Sequence, residues 1–216
     1  MRSTCARAMV CAGAAVFSAG VSSIASGAIT SVTGNTTWLG TPPASCLWTA
    51  LTGFNAFTWD EQQAVTASSL FVDMVNNPGS TAAPTSGVLT GVFNSHFIHF
   101  DNVPGVINAT GTVSFNAPIV GVIFNPSTLD ATDAPFGAGG TLYPTLYPFR
   151  GLGTNPPSVC TVLGNTITFN LFNFAPSVHV AQVRVLTAVP TPGSVSLLAG
   201  GGLLIATSRR RRRRAC

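Results

Sequence analysis

The chain contains no lysine: its ten basic residues are all arginine, and they are unevenly spread. Arg2 and Arg7 stand near the start and six stand at the end. Only Arg150 and Arg184 remain between Ile29 and Val189. Against them stand Asp60, Glu61, Asp73, Asp101, Asp130 and Asp133, so this central body carries −4 with histidine neutral, although the whole chain is +4. Phosphate contacts need clustered Lys or Arg, which argues against nucleic-acid binding. Cysteine is also scarce: of five, Cys5 and Cys11 lie near the N-terminus and Cys216 is last, leaving Cys46 and Cys160. Neither has a Cys or His at metal-ligand spacing. A Gly-x-Ser-x-Gly elbow, a His-Glu-x-x-His helix, a phosphate loop and a dinucleotide fingerprint are all missing. Between Ile29 and Val189 there is no good amphipathic-helix pattern.

What is present is most informative at the two ends. Residues 1–28 have the layout of a secretory signal peptide: Arg2 and Arg7, a small apolar region over 8–19, and Ser26-Gly27-Ala28 with small residues at the −3 and −1 positions. Residues 189–216 read Val-Pro-Thr-Pro-Gly, then a Gly-Leu-rich apolar run over 194–208, then Arg209, Arg210, Arg211, Arg212, Arg213 and Arg214. The run is short for a span, but snorkelling arginines extend its reach. Arginine clusters stay on the cytoplasmic side, so such a tail leaves the body outside the cytoplasm.

This order of motif, short apolar run and arginine cluster resembles the PEP-CTERM sorting signal of Gram-negative bacteria. The motif falls on Pro190, Thr191, Pro192 and Gly193. Thr191 stands where that family usually has glutamate, and the Val-Pro-Thr-Pro-Gly form is similar to a planctomycete-type variant. The resemblance implies an exosortase-type membrane enzyme as partner and transient anchoring in the cytoplasmic membrane through residues 194–208. Delivery to the cell surface or extracellular matrix, among exopolysaccharide, would follow. Trp59-Asp60-Glu61-Gln62-Gln63, Ser95 to Asp101, Pro118 to Ile123 and Leu129 to Asp133 look like blocks of uncharacterised proteins with the same tail. That group has no assigned activity, so it supplies no catalytic residues.

The body, 29–188, is of single-domain size at about 160 residues. Short β-prone runs bounded by Gly, Pro, Asn and Ser dominate it: Val65 to Val75, Val88 to Phe93, His96 to Phe100, Thr110 to Phe115, Ile119 to Phe124, Asn165 to Phe174 and Val178 to Thr187. The spacing predicts an all-β fold, an antiparallel β-sandwich of jelly-roll-like type. Asn116-Ala117-Pro118 reads as the turn of a hairpin, Asn165 to Phe174 as a central strand, and Asn125 to Pro157 as a long Pro/Gly-rich loop of the kind that carries function.

Several constellations compete with plain structural readings. In an exported protein Cys46 and Cys160 most simply form a disulfide, whose long loop would stabilise by about 4 kcal/mol; two separate buried thiols are the alternative. His96 and His99 fall on opposite faces of a strand, whereas His99 and Asp101 share one and form a candidate metal or acid–base pair. Asp130 and Asp133 are candidate Ca²⁺ ligands, or turn-forming residues. Asp60 and Glu61 could serve glycoside hydrolysis if a second carboxylate lies within roughly 5–10 Å. Trp38, Trp48, Tyr143 and Tyr147 either stack on sugars or fill cores. Taken together, the chain reads as an exported, non-enzymatic, structural or adhesive protein associated with exopolysaccharide. A Ca²⁺-assisted carbohydrate-binding module is the alternative, and a glycan hydrolase a third reading.

Overall fold

A computed structural model describes residues 28–105, 107–153, 157–173 and 178–189. Residues 1–27 of the signal-like segment lie outside the described residues, as do Pro190 to Gly193, the 194–208 run and Arg209 to Arg214. The described chain is mostly strand. In order it forms β1 (Ile29–Gly34), β2 (Thr36–Trp38), β3 (Ala56–Asp60), β4 (Val65–Val72), β5 (Gly79–Ser80), β6 (Gly87–Phe100), β7 (Asn108–Phe115), β8 (Ile119–Ile123), α1 (Pro126–Phe136), β9 (Val159–Leu163), β10 (Thr166–Phe172) and β11 (Ala181–Ala188).

A five-stranded sheet runs β1-β7-β10-β9-β5, and a six-stranded sheet runs β2-β3-β6-β11-β8 with β4 also paired to β6. Named strands pair antiparallel except β2 with β3. The predicted central strand, β10, is the middle one of its sheet. Alternation explains the five-stranded sheet. Ala109, Val113 and Phe115 of β7 and Ile167, Phe169 and Leu171 of β10 are buried, while Thr110 and Thr168 between them are exposed. The buried row joins Ile98 and Phe100 of β6 and Val183 and Val185 of β11 in one apolar cluster shared by both sheets.

The six-stranded sheet differs because its other face is covered too. Phe93 to Phe100 are all buried, so β6 has no solvent side over that length. Its alternate residues Phe93 and Phe97 join Trp59, Leu186, Cys46, and Leu129 and Phe136 of α1 in a second cluster.

Four expectations are corrected. Val88 to Phe93 and His96 to Phe100 are one continuous strand, because Asn94 and Ser95 are buried ladder residues rather than a turn. Asn116-Ala117-Pro118 is not a hairpin turn: β7 belongs to one sheet and β8 to the other. The segment after Asn125 starts with a helix. Pro126 opens it, and its buried stripe is Thr128, Leu129, Thr132, Asp133 and Phe136, helical in spacing but largely polar. Cys46 and Cys160 are free thiols. Cys160 lies in the cluster between the sheets and Cys46 in the cluster beyond the six-stranded sheet, so that sheet separates them. Burial pushes both thiols up to about 12, which leaves them unreactive.

The strand register also fixes the two ends of the molecule. Phe100 pairs with Ala181, His99 with Phe57 and Phe172 with Asn108, which places the 47–55, 101–105 and 178–180 segments at one end. Ile29 pairs with Phe115 and Thr187 with Ile119 at the other. Gly34, at φ +71, pairs with Gly111 where β1 passes over to β2. A Cβ on Gly111 would lie 2.0 Å from Thr36 Oγ1, so this crossing requires glycine.

Candidate functional site

The most distinctive chemistry lies between the six-stranded sheet and α1. Both body arginines are there, fully buried. Arg184 projects from β11, alternating with Val183 and Val185, which face the shared core. Its guanidinium grips Glu61 twice, Nε to Oε2 at 2.7 Å and Nη2 to Oε1 at 3.0 Å, and reaches Asp133 Oδ1 at 3.1 Å. Nη1 donates to Thr132 Oγ1 at 2.6 Å. The rings of Phe97 and Tyr143 lie 5.1 and 5.4 Å from its centre. Burial alone would depress the Arg184 pKa, but the Glu61 and Asp133 carboxylates outweigh it and raise the group above its ordinary value.

Arg150 extends the network. Nη1 donates to Asp133 Oδ2 at 2.5 Å and to Asp130 Oδ1 at 2.7 Å, and Nε donates to Gln182 Oε1 at 3.0 Å. Gln182 in turn donates to the Cys46 carbonyl and to His99 Nδ1 at 3.0 Å, while His99 Nε2 meets the Leu51 carbonyl at 3.1 Å. These partners fix the neutral tautomer with its proton on Nε2. Burial, with Arg150 adding to it against the Leu51 bond, lowers the His99 pKa to about 4. The Tyr143 hydroxyl donates to Glu61 Oε1 at 2.5 Å and Ser95 Oγ to Oε2 at 2.7 Å. Desolvation and the Glu61 charge hold the Tyr143 phenol well above its usual range.

This network brings together residues read separately from the sequence and gives them structural partners. Asp130 and Asp133 sit on α1 with their oxygens on guanidinium groups, so a Ca²⁺ ion there would have to displace an arginine. Among the described residues no group of three or more His, Cys, Asp or Glu is placed to hold a metal ion. Glu61 and Asp133 flank Arg184 rather than open space. His96 and His99 do face opposite ways. His96 packs on Phe115 at 4.5 Å, with Nδ1 2.6 Å from Asp60 Oδ1 and Nε2 3.0 Å from Thr187 Oγ1. The His–Asp pair is therefore His96–Asp60, not His99–Asp101. Asp101 instead accepts the Thr49 N–H at 2.5 Å. Asp73 caps the entry to α1, accepting the N–H groups of Phe124 and Asn125 at 2.7 and 2.9 Å and the Thr128 hydroxyl at 2.9 Å. All six body carboxylates are thus engaged.

The sequence reading missed Arg184 and Glu61 as a pair. The available signal was the scarcity of arginine together with its position inside Val-Arg-Val, where a strand has little reason to face water. The outer face of the five-stranded sheet is uncharged. Thr33, Thr112, Thr168 and Thr161 succeed one another across its strands, with Thr112 and Thr168 hydroxyls 3.3 Å apart. A shallow depression of about 600 Å³ lies over this row. Of the candidate aromatics, Trp38 and Trp48 are exposed, whereas Tyr143 packs into the ionic network and Tyr147 is half-buried. No family model matches the chain, and no curated protein or solved structure is significantly similar to it.

Proposed function

We propose that this chain is an exported envelope or extracellular-matrix protein with a structural or adhesive role among exopolysaccharide, delivered by a PEP-CTERM-like tail. Its body would be a jelly-roll-like sandwich, a reading supported by the apolar cluster that the two sheets share. The observation that carries the functional reading is the order Pro190-Thr191-Pro192-Gly193, short apolar run and Arg209 to Arg214, opposite a signal-like N-terminus. The surface chemistry agrees with it. The two body arginines are buried, lysine is absent, and the exposed sheet face offers neutral hydroxyls suited to hydrogen-bonding partners.

The test is cell fractionation with protease protection on the full chain. Protease sensitivity from outside is expected, and a soluble cytoplasmic protein overturns the reading. Replacing Arg209 to Arg214 with serine should strand or mislocalise the chain. A second reading, a carbohydrate-binding module, is favoured by the exposed Trp48. With arginines on Asp130 and Asp133, glycan retention by such a module is expected to survive EDTA. A hydrolytic reading draws no support from Glu61 and Asp133, which share one guanidinium.

A further inference from the structure

The described surface gathers its exposed aromatic side chains unevenly. At the end where β6 finishes and β11 begins, Trp48 is 44 %, Phe54 69 %, Phe149 50 % and Leu146 86 % exposed. Asp101 organises the first two. Its backbone carbonyl accepts the Gly53 N–H at 2.9 Å and its carboxylate accepts the Thr49 N–H. Thr49 has φ +66, a left-handed conformation that a β-branched residue rarely adopts, and Asp101 holds the loop in it. Leu146, at φ +65, is a second non-glycine residue of this group in the left-handed region. Tyr147 and Phe149 meet edge to face at 5.8 Å, and the Tyr147 hydroxyl donates to the Val178 carbonyl, which fastens this loop to the segment before β11. The Phe149 carbonyl also accepts the Val180 N–H at 2.9 Å. Large apolar side chains held out by a strained, hydrogen-bonded scaffold mark an interaction surface.

We propose that this loop end is a docking surface for a neutral polysaccharide, with Trp48, Phe54 and Phe149 stacking on the C–H faces of sugar rings. It rests on the reading above that the chain works among exopolysaccharide. Charge selects this occupant. With no lysine and with Arg150 and Arg184 buried, the described surface has no fixed cation for uronates, sulfates, phosphates or anionic lipid headgroups. Aromatic rings need none, since they bind by dispersion and desolvation. Geometry agrees. Asn116 N–H donates to the Ala28 carbonyl and Ala188 N–H to the Pro118 carbonyl, so both ends of the described body leave from the opposite end. The paired length of β6, Phe93 to Phe100, separates the two ends by about 25 Å at the usual strand rise. A chain tethered through its C-terminal tail would thus hold these rings away from its own membrane.

The test is affinity electrophoresis of the full chain, in neutral detergent, through gels containing hydroxyethyl cellulose, glucomannan, galactan or alginate. Retardation by at least one neutral polymer and none by alginate is expected. Trp48→Ala and Phe149→Ala should each weaken it about tenfold, the effect of losing one aromatic anchor, with Phe54→Tyr close to wild type and circular dichroism unchanged. Thr168→Ala on the sheet face should leave it unaltered. The proposal is overturned if no neutral polymer retards the wild type. It also falls if the loop variants bind as wild type while Thr168→Ala does not, or if they change only self-association. A chain outside the cytoplasm that no neutral polymer retards removes the docking surface and leaves the address intact. A retarded chain found in the cytoplasm does the reverse.

Discussion

The six-stranded sheet separates two interiors built on different principles. Toward the five-stranded sheet it shows Ile98, Phe100, Val183 and Val185, and the cluster there is almost wholly apolar. Toward α1, the same strands show Phe97, His99, Gln182 and Arg184, and the interior holds Arg150 and Arg184 with the buried carboxylates of Glu61 and Asp133 amid aromatic rings. The first interior needs only shape and burial. The second needs every charge partnered, because an isolated buried ion costs several kcal/mol. One side of the sheet is tolerant of substitution among apolar residues; the other is all-or-none.

That contrast can be broken most directly at Arg184. Arg184→Met should destabilise the protein by about 3–5 kcal/mol by leaving Glu61 buried and unpaired, as read by chemical denaturation. Adding Glu61→Leu should recover part of the loss; a double variant no better than the single would show that packing, not charge, holds this layer. The next largest effect is a pH dependence centred on His99 of the ionic side. His99 titrates at about 4 when folded against 6.5 when free. Its protonation therefore favours the unfolded chain: stability is intact above pH 6.5 and is lost as pH falls from 6.5 toward 4, by on the order of 3 kcal/mol. His179, lowered by burial, acts in the same sense, and Asp101, raised by burial, in the opposite one. The difference between wild type and His99→Gln isolates the His99 share.

Asp73→Ala should cost about 2 kcal/mol by orphaning the Phe124 and Asn125 N–H groups, with loss of helical signal from α1. On the apolar side, Ile167→Val should cost about 1 kcal/mol at any pH between 4 and 8; a pH-dependent cost would blur the distinction. Smallest of all, Thr168→Ala on the solvent face should move stability by less than about 0.5 kcal/mol.

The sequence made the apolar interior legible and the ionic one nearly invisible. Thr110, Thr112 and Ser114 alternating with buried partners announce β7 directly, because alternation is how a half-buried strand is written. α1 was hidden for the complementary reason. Its inward stripe contains Thr128, Thr132 and Asp133, so a search for apolar periodicity passes over it. The β7–β8 connection misled because Asn-Ala-Pro suits a turn within a sheet as well as a step between sheets, and local chemistry does not distinguish them. The cysteine pairing failed on a global fact, the sheet lying between Cys46 and Cys160, that no spacing encodes. Asp130 and Asp133 were recognised as chemically important, but their cationic partners are Arg150, 17 or more residues along the chain, and Arg184 on a distant strand.

β11 runs the length of the body, from the aromatic loop end to the point where the chain leaves at Val189, with β6 along one edge and β8 along the other. A pull between the ligand proposed for those loops and the proposed C-terminal anchor would act along this strand. Its ladder bonds would then be loaded together in shear, not opened one at a time from an end. Arg184, midway along, adds its grip on Glu61 and Asp133 to the same line of force. Under such a load the ion network would be a rivet as well as a core, resisting the sliding of the strand between its neighbours.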